Sequence, residues 1–319
     1  MVGLKPDSFW GNRIHYLKLV VIHLMNPSTW KIGLIAFGVA TFFTGLLAYS
    51  YFIEPFCLVV NEKEIVIDGW EKEFDGFRAV LISDIHGGSH GVDAEQIQRM
   101  VETANAQDPD AIFILGDSIA TTHIKTIIMM PVPETAYLLS GLRAKHGVFA
   151  VMGNHEGAYD PKFVTREFEK AGINVLDGEV AFIEKNGKRL RILGLRDHLE
   201  MTTWADTAND AKGLLAPSEG TGSVIVLEHS PDVLQAITGE LLISNELKIM
   251  FAGHTHGGQV WLPIFGYPIV PSSYGQKYAA GHVKDAGLDM FVTTGIGTTT
   301  LPFRFMVPPE IALITIRSK

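Results

Sequence analysis

The 319-residue sequence predicts an α/β fold preceded by one N-terminal transmembrane helix. Three observations predict it. From about Glu62 onward, continuous apolar runs of four or five residues recur. Such runs read as strands buried on both faces. Windows of helical spacing separate them, and strand–helix–strand alternation builds a sheet covered by helices. Ahead of all this, residues 32–53 (IGLIAFGVATFFTGLLAYSYFI) carry no charge. A spanning helix needs about 20 apolar residues.

The apolar segment has the flanks of a membrane span. Trp30 stands at one end and Tyr49, Tyr51 and Phe52 at the other, where aromatic rings favour the interface. Asn26-Pro27-Ser28 supplies a turn and a helix start. Lys5, Arg13, Lys18 and Lys31 precede the span, and Glu54 and Glu62 are the first charges after it. The positive-inside rule then keeps the first thirty residues in the cytoplasm and puts the rest outside. Ala48-Tyr49-Ser50 would serve as a signal-cleavage site. The apolar stretch is longer than the roughly 7–15 residues of a signal peptide, so an uncleaved, single-pass anchor in the cell membrane is expected. No polar face breaks the run, which argues against a buried helix. Ile14, Leu17, Val21 and Leu24 recur at helical spacing and suit a short helix on the membrane surface. The expected organisation is a cytoplasmic or interfacial segment over 1–31, the anchor over 32–53, a linker and first strands over 54–77, and the main domain over 78–319.

Composition narrows the function classes. Hydrophobic content is 47% and mean hydropathy +0.19, apolar for a purely soluble chain. The net charge of -9 and the lack of a basic cluster argue against a nucleic-acid partner. The one cysteine, Cys57, cannot form a disulfide within the chain.

Each of five apolar runs ends at a polar residue able to bind a metal. Ala79-Val80-Leu81-Ile82-Ser83 leads into Asp84-Ile85-His86. Ala111-Ile112-Phe113-Ile114-Leu115 leads into Gly116-Asp117, and Val148-Phe149-Ala150-Val151-Met152 into Gly153-Asn154-His155-Glu156. Val224-Ile225-Val226-Leu227 leads, after Glu228, into His229. Ile249-Met250-Phe251-Ala252 leads into Gly253-His254-Thr255-His256-Gly257-Gly258-Gln259. Between the first two runs, Ile97, Met100, Val101 and Ala104 form a helical stripe, with Asp93 and Gln96 as its capping box. Residues 161–171 and 231–237 are further helices with proline near the start. In such sheets ligands bind beyond the carboxyl ends of the strands.

Asp84, His86, Asp117, Asn154, His229, His254 and His256 are therefore the candidate metal ligands. Taken singly, each is an ordinary turn, cap or solvated loop residue; the ordered repetition is what makes them a set. Oxygen donors mixed with imidazoles suit Mn, Fe or Zn. Seven donors exceed the needs of one such ion. They suit two divalent ions about 3.5–4 Å apart with one bridging carboxylate, which activate a shared water and clamp an in-line phosphoryl displacement. Glycines beside the ligands leave backbone room around the pocket.

Asp84-x-His86, Gly116-Asp117, Gly153-Asn154-His155-Glu156, His229 and Gly253-His254-x-His256 together resemble the calcineurin-like metallophosphoesterases, from about residue 78 to the end. Gly257-Gly258-Gln259, His229-Ser230-Pro231-Asp232 and the stretch from Gly295-Ile296-Gly297-Thr298 through Leu301-Pro302-Phe303-Arg304-Phe305 to Pro308-Pro309-Glu310 look like the membrane-associated branch. Some members of that branch are similar to UDP-2,3-diacylglucosamine pyrophosphohydrolases of lipid A synthesis. The resemblance implies a β-sandwich of two sheets flanked by helices. It implies that Asp84, His86 and His256 hold one metal, that Asn154, His229 and His254 hold the other, and that Asp117 bridges. It makes His155 a catalytic residue rather than a ligand, one that stabilises the transition state or protonates the leaving oxygen. Ser118, where many relatives carry a bulkier apolar residue, and the glycine-rich Gly87-Gly88-Ser89-His90 depart from the pattern.

Substrate contacts are less legible. Lys277, Arg196 and Arg304 are the cations available to a phosphate, with Arg304 first by its place in the resemblance. His90 and His123 are extra histidines near the site, and Asp197 and His198 follow a further apolar run. Residues 126–131 and 261–271 are apolar loops that suit lipid or core packing. The function expected is a membrane-anchored, two-metal hydrolase with Mn foremost, acting on a phosphodiester or pyrophosphate that is lipid-linked if it is UDP-2,3-diacylglucosamine. That substrate requires a cytoplasmic domain, against the charge rule. The alternatives are a general envelope phosphodiesterase unrelated to lipid A and a metal-bound scaffold without turnover.

Overall fold

The computed structural model describes residues 27–121, 128–197, 203–216 and 221–319. His123, His198, the surface helix expected around residues 14–24 and the start of the 126–131 loop lie outside the described residues. Helix α1 runs Pro27–Phe52 and is long and apolar enough to cross a membrane. Proline at its first position already has the helical φ and lacks only an N–H with no partner there. Most described side chains along it are exposed, Ile35 at 67% and Phe37 at 72%, while Ser50 in its last turn is buried. The chain divides into two compact units, Met1–Tyr49 and Ser50–Lys319. The last turn of α1 thus belongs to the second unit.

In chain order, the second unit holds β1 (Val59–Ile67), β2 (Phe77–Ile82), α2 (Ala94–Asn105), β3 (Ala111–Leu115), α3 (Val132–Leu139), β4 (Val148–Val151), α4 (Asn154–Tyr159) and α5 (Pro161–Lys170). Then follow β5 (Asn174–Val175), β6 (Glu179–Lys185), β7 (Lys188–Gly194), α6 (Trp204–Leu214), β8 (Val224–Leu227), α7 (Leu234–Ile237), β9 (Leu247–Ala252), β10 (Gly281–Asp285), β11 (Leu288–Val292) and β12 (Glu310–Ser318). They form two six-stranded sheets, ordered β1-β12-β2-β3-β4-β5 and β10-β11-β9-β8-β7-β6. Both sheets are mixed. β2 to β5 are parallel, as are β7, β8, β9 and β11. β12 joins β2 antiparallel, and β6 and β10 close the edges of the second sheet antiparallel. The stretch expected to hold a linker and first strands contains β1, paired in parallel with β12.

Period-two alternation inside the apolar runs builds the layers. Ala79, Leu81, Phe113, Leu115, Ile225, Leu227, Ile249 and Phe251 fill the space between the sheets. Their neighbours Val80, Ile82, Ile112 and Ile114 face outward and pack with Ile97, Met100, Val101 and Ala104 of α2. Val224, Val226, Met250 and Ala252 do the same against α6 and α7. Fully apolar strands are thus explained: each has a core on both sides. β3 and β8 match the expected runs, and α2 is capped by Asp93 Oδ1, which accepts from Gln96 N at 2.9 Å. The segment after Pro231 begins as a 3-10 turn, Pro231–Val233, before α7, where a single helix was expected.

Candidate metal centre

The loops leaving β2, β3, β4, β8 and β9 meet at one end of the two sheets. Parallel neighbours put successive carboxyl ends side by side, which is why residues from 84 to 256 come together. Five of these residues take left-handed backbone: Asp84 (φ 52°), His86 (47°), Asp117 (51°), His254 (69°) and His256 (51°). Asp and His tolerate this region better than most residues, yet it costs about 1–3 kcal/mol each. Long-range hydrogen bonds hold the geometry. Asp84 N donates to Gly116 O and His86 N to Asp117 O, each at 3.0 Å. His254 N donates to Asp84 Oδ2 at 2.9 Å. The glycines permit the crowding. A Cβ on Gly253 would lie 1.9 Å from Ser83 Oγ, and one on Gly153 would lie 2.4 Å from Asp117 Oδ1.

The side chains fall into overlapping clusters. Asp84, His86 and His256 form one, and Asp117, His229 and His254 another. His86, Asp117 and His155 form a third between them. His86 Nε2 and His256 Nε2 are 3.2 Å apart, and His256 Nε2 is 3.2 Å from Asp84 Oδ1. His229 Nε2 is 3.3 Å from Asp117 Oδ2, 3.1 Å from His254 Nδ1 and 3.3 Å from Asn154 Oδ1. Asp117 Oδ2 is 3.7 Å from His86 Nε2, so this carboxylate faces both halves.

Three rings have their tautomers set from behind. The Nδ1 atoms of His86, His229 and His256 face the carbonyls of Ile119 (3.2 Å), Leu115 (2.8 Å) and Gly297 (3.3 Å). A carbonyl only accepts, so each Nδ1 carries hydrogen and each ring turns Nε2 inward, the nitrogen that offers a lone pair to a metal. Asp84 Oδ1 is buried without a hydrogen bond. Burial pushes His86 down to about 3 and His254 to about 4, which keeps both rings neutral. Burial raises Asp84, but the nearby rings, His256 foremost, outweigh it and hold the carboxyl well below its usual value. At His229 burial pulls downward and is outweighed by Asp117 and then Asp84, which hold the ring well up. The two carboxylates thus favour positive charge at this point of the cluster. Facing lone pairs and a buried bare carboxylate oxygen repel unless a cation lies among them. The donor set therefore fits one or two divalent ions.

His155 stands beside the clusters. Its Nδ1 accepts from Thr121 N at 3.1 Å and lies 2.8 Å from Thr121 Oγ1. A backbone N–H only donates, so the proton of the neutral ring is on Nε2, which lies 3.9 Å from Asp117 Oδ2. The next residue, Glu156, is buried and accepts from the N–H groups of Asp117, Ser118, Ile119 and Gly153 at 2.7–3.1 Å. It ties the β3 loop to the β4 loop. Sequence reasoning quoted Glu156 within a motif but gave it no role, and it overlooked Thr121; a carboxylate next to the histidine was the available signal. A cleft of about 540 Å³ opens over His86, Asn154 and His155, with His90, Met129 and the Thr298, Thr299 and Thr300 run on its walls.

The expected substrate cations are placed otherwise. Arg304 is fully buried and donates to the carbonyls of Thr294, Gly295, Gly297 and Val307 at 2.6–3.2 Å. Burial lowers it to about 10, still charged at neutral pH. Since Gly297 O also faces His256 Nδ1, Arg304 braces the loop behind a metal-facing ring instead of reaching a substrate. Its place in the resemblance suggested a substrate contact; the fold closes the 293–297 loop over it. Lys277 pairs with Asp285, and Arg196 with Asp177 and Asp210. Asp197 is buried away from the cleft lining. His90 stacks on Tyr51, ring centres 4.1 Å apart, and donates from Nε2 to Tyr51 O at 2.7 Å.

A model of the family described as Calcineurin-like phosphoesterase matches residues 77–258. The chain is 29% identical over 288 residues to the uncharacterized metallophosphoesterase YkuE of Bacillus subtilis, covering 90% of this chain and 94% of that one. It is 25% identical to the phosphodiesterase YaeI of Escherichia coli, over 75% of this chain and 82% of that one. A Danio rerio transmembrane protein with metallophosphoesterase domain is 26% identical, over 81% of this chain and 57% of that one. Among solved structures, the NAD nucleotidase of Haemophilus influenzae is similar with a TM-score of 0.45 at 15% identity, over 69% of this chain and 50% of that chain. The chain spans about half the length of that nucleotidase. With more than half of its residues matched to one family model, and with the Asp, Asn and His set converging where the strands end, the chain belongs to the calcineurin-like phosphoesterases.

Proposed function

We propose that this metal-dependent hydrolase works with two divalent ions, manganese foremost with iron or zinc as alternatives, and cleaves a phosphodiester. In this reading Asp84, His86 and His256 hold one ion, Asn154, His229 and His254 the other, and Asp117 bridges. The observation that carries it is the convergence of three Nε2 lone pairs on two buried carboxylates, each ring fixed by a carbonyl behind it. Divalent ions held there would supply Lewis acidity to a phosphoryl group and would lower the pKa of a water towards about 7. His155 acts at the leaving oxygen. Thr121 N–H occupies Nδ1, so the proton of the neutral ring sits on Nε2 at the cleft, where it donates a hydrogen bond that stabilises the charge developing on that oxygen.

The cleft lining also speaks to substrate class. Among the described residues it carries no Lys or Arg. A phosphomonoester dianion brings a second negative charge that the lining does not neutralise, whereas a diester brings one. The pyrophosphate of UDP-2,3-diacylglucosamine receives no specific support from the family match or from these relatives. We take the alternative, a general envelope phosphodiesterase, with α1 as an uncleaved single-pass anchor. The basic residues ahead of α1 put the domain outside the cytoplasm.

Purified full-length protein should hold about two Mn per chain. It should hydrolyse bis-p-nitrophenyl phosphate faster than p-nitrophenyl phosphate, lose turnover on chelation and regain it with Mn. No turnover by folded, metal-loaded protein would favour the scaffold. An alkaline phosphatase fusion after Lys319 should be active; an inactive but well-expressed fusion would reverse the orientation.

A further inference from the structure

The turn over residues 262–266 is built from the wrong residues for an exposed loop in water. Leu262 N donates to Gly266 O at 2.8 Å and Gly266 N to Leu262 O at 2.9 Å, which closes a tight loop around Pro263, Ile264 and Phe265. Of its two left-handed positions, Gly266 holds one (φ 70°) and Ile264 the other (φ 76°). Turns normally place Gly, Asn or Asp there, and a β-branched residue at positive φ is an outlier. Ile264 is 99% exposed and Phe265 72%, so no packing within the unit accounts for the choice. No Asp, Glu, Lys or Arg occurs from Gly257 through Gln276.

The same loop is tied to the end of α1. Trp261 N donates to Phe305 O and Phe305 N to Gln259 O, each at 2.9 Å. One residue back, Arg304 N donates to Ser50 O at 3.0 Å, and Val307 N to Glu54 Oε1 at 2.7 Å. Apolar side chains stand exposed along this line: Ile269, Leu301 and Met306 in the domain, Phe52 and Ile53 where α1 ends. The cleft shares it too, since Thr300 and Pro302 line the cleft on either side of Leu301, and His90 of the cleft wall stacks on Tyr51.

We propose that residues 262–269 and 301–306 form a bilayer-docking rim. Ile264 and Phe265 enter the acyl-chain boundary of the membrane crossed by α1, and the metal cleft opens onto that membrane surface. This rests on the reading of α1 as an anchor. The occupant is a lipid surface because the exposed side chains of the rim are apolar and uncharged, with Arg304 buried behind them, and because the rim projects and is continuous with the point where α1 leaves the membrane. Interfacial segments bury apolar side chains about 5–10 Å into the headgroup and acyl boundary, which is the reach of one projecting turn.

The test uses the full chain, with Cys57→Ser removing its one cysteine. Single variants Ile264→Cys, Phe265→Cys, Phe42→Cys and Lys185→Cys carry an environment-sensitive fluorophore in phosphatidylcholine–phosphatidylglycerol vesicles. Nitroxide lipids, labelled at a shallow or a deep acyl position, report contact as lost emission. Lys185, at the end of the sheet far from the metal centre, is the water-facing control. The rim predicts shallow-nitroxide quenching at 264 and 265, none at 185, and deep quenching at 42. Quenching at 42 with none at 264 and 265 would overturn the rim and leave the anchor standing. Quenching at 264 and 265 without 42 would overturn the anchor, and with it the proposal that the rim sits on a membrane crossed by α1. Emission unchanged at all four positions would overturn both.

Discussion

Two regions of this chain hold non-glycine residues in left-handed backbone, for different reasons. In the β6–β7 and β10–β11 hairpins, Asn186 (φ 51°) and Ala286 (φ 47°) precede Gly187 (75°) and Gly287 (84°). These are two-residue loops between the pairs Lys185–Lys188 and Asp285–Leu288. A primed turn matches the twist of its strands, so the conformation is demanded locally and met locally by residue choice. At the metal centre Asp84, His86, Asp117, His254 and His256 take the same conformation outside any hairpin. There it is imposed by hydrogen bonds from other loops, such as the four N–H groups gathered by Glu156. The difference teaches where strain can be removed without consequence: at a hairpin, by one substitution; at the centre, only by dismantling the arrangement that aims the ligands.

The sharpest contrast comes from Asp117 against Asn186. Asp117→Asn removes the charge facing both halves of the centre. It should lose at least one metal by elemental analysis and more activity than any other single change considered, while Asn186→Gly leaves metal content and turnover unaltered. Two metals and near-native turnover in Asp117→Asn would remove the bridge. His155→Ala comes next. Turnover of a diester with a poor leaving group should fall about 10²–10⁴-fold with metal content preserved, equivalent to about 3–5 kcal/mol of barrier. A comparable fall with p-nitrophenolate as leaving group would argue against a role at the leaving oxygen, because that group departs without such help.

Glu156→Ala tests whether tertiary hydrogen bonds hold the strained backbone. It leaves four N–H groups without their acceptor, at about 1–3 kcal/mol for each that stays buried and unsatisfied. A loss of about 3 kcal/mol or more in urea unfolding is expected, together with weaker metal binding. Full stability would mean that the β3 and β4 loops hold themselves. The smallest effect belongs to the hairpin. Ala286→Asn puts a residue suited to positive φ at that position and should raise stability by about 0.5–1 kcal/mol with kinetics unchanged. A destabilised variant would show that this turn, too, depends on its surroundings.

Much of this architecture was legible in the residue order. The runs ending at Leu115 and Leu227 coincide with β3 and β8, because strands with a core on both faces must be continuously apolar. The stripe Ile97, Met100, Val101 and Ala104 and its Asp93 cap reappear in α2, because both are local devices. The convergence of the seven candidate ligands and His155 was readable for the same reason: each lies within four residues of a strand end. The partition of strands between two sheets came from resemblance alone. The edge strands β6 and β10 and the interior strand β12 were not read, since half-exposed alternation in the first two and distant pairing in the third leave a weak local signal. Arg304 was misread because local sequence does not report which loop will close over a side chain.

By itself, then, the sequence determined which side chains gather at the strand ends, because strand period and loop entry are set within a few residues. Only the tertiary structure decided how they are aimed. The carbonyls of Ile119, Leu115 and Gly297 fix three imidazole tautomers, Thr121 fixes the proton of His155, and Arg304 braces Gly297 from behind. All but one of those partners lie more than thirty residues away in the chain, and they meet only after the two sheets have packed.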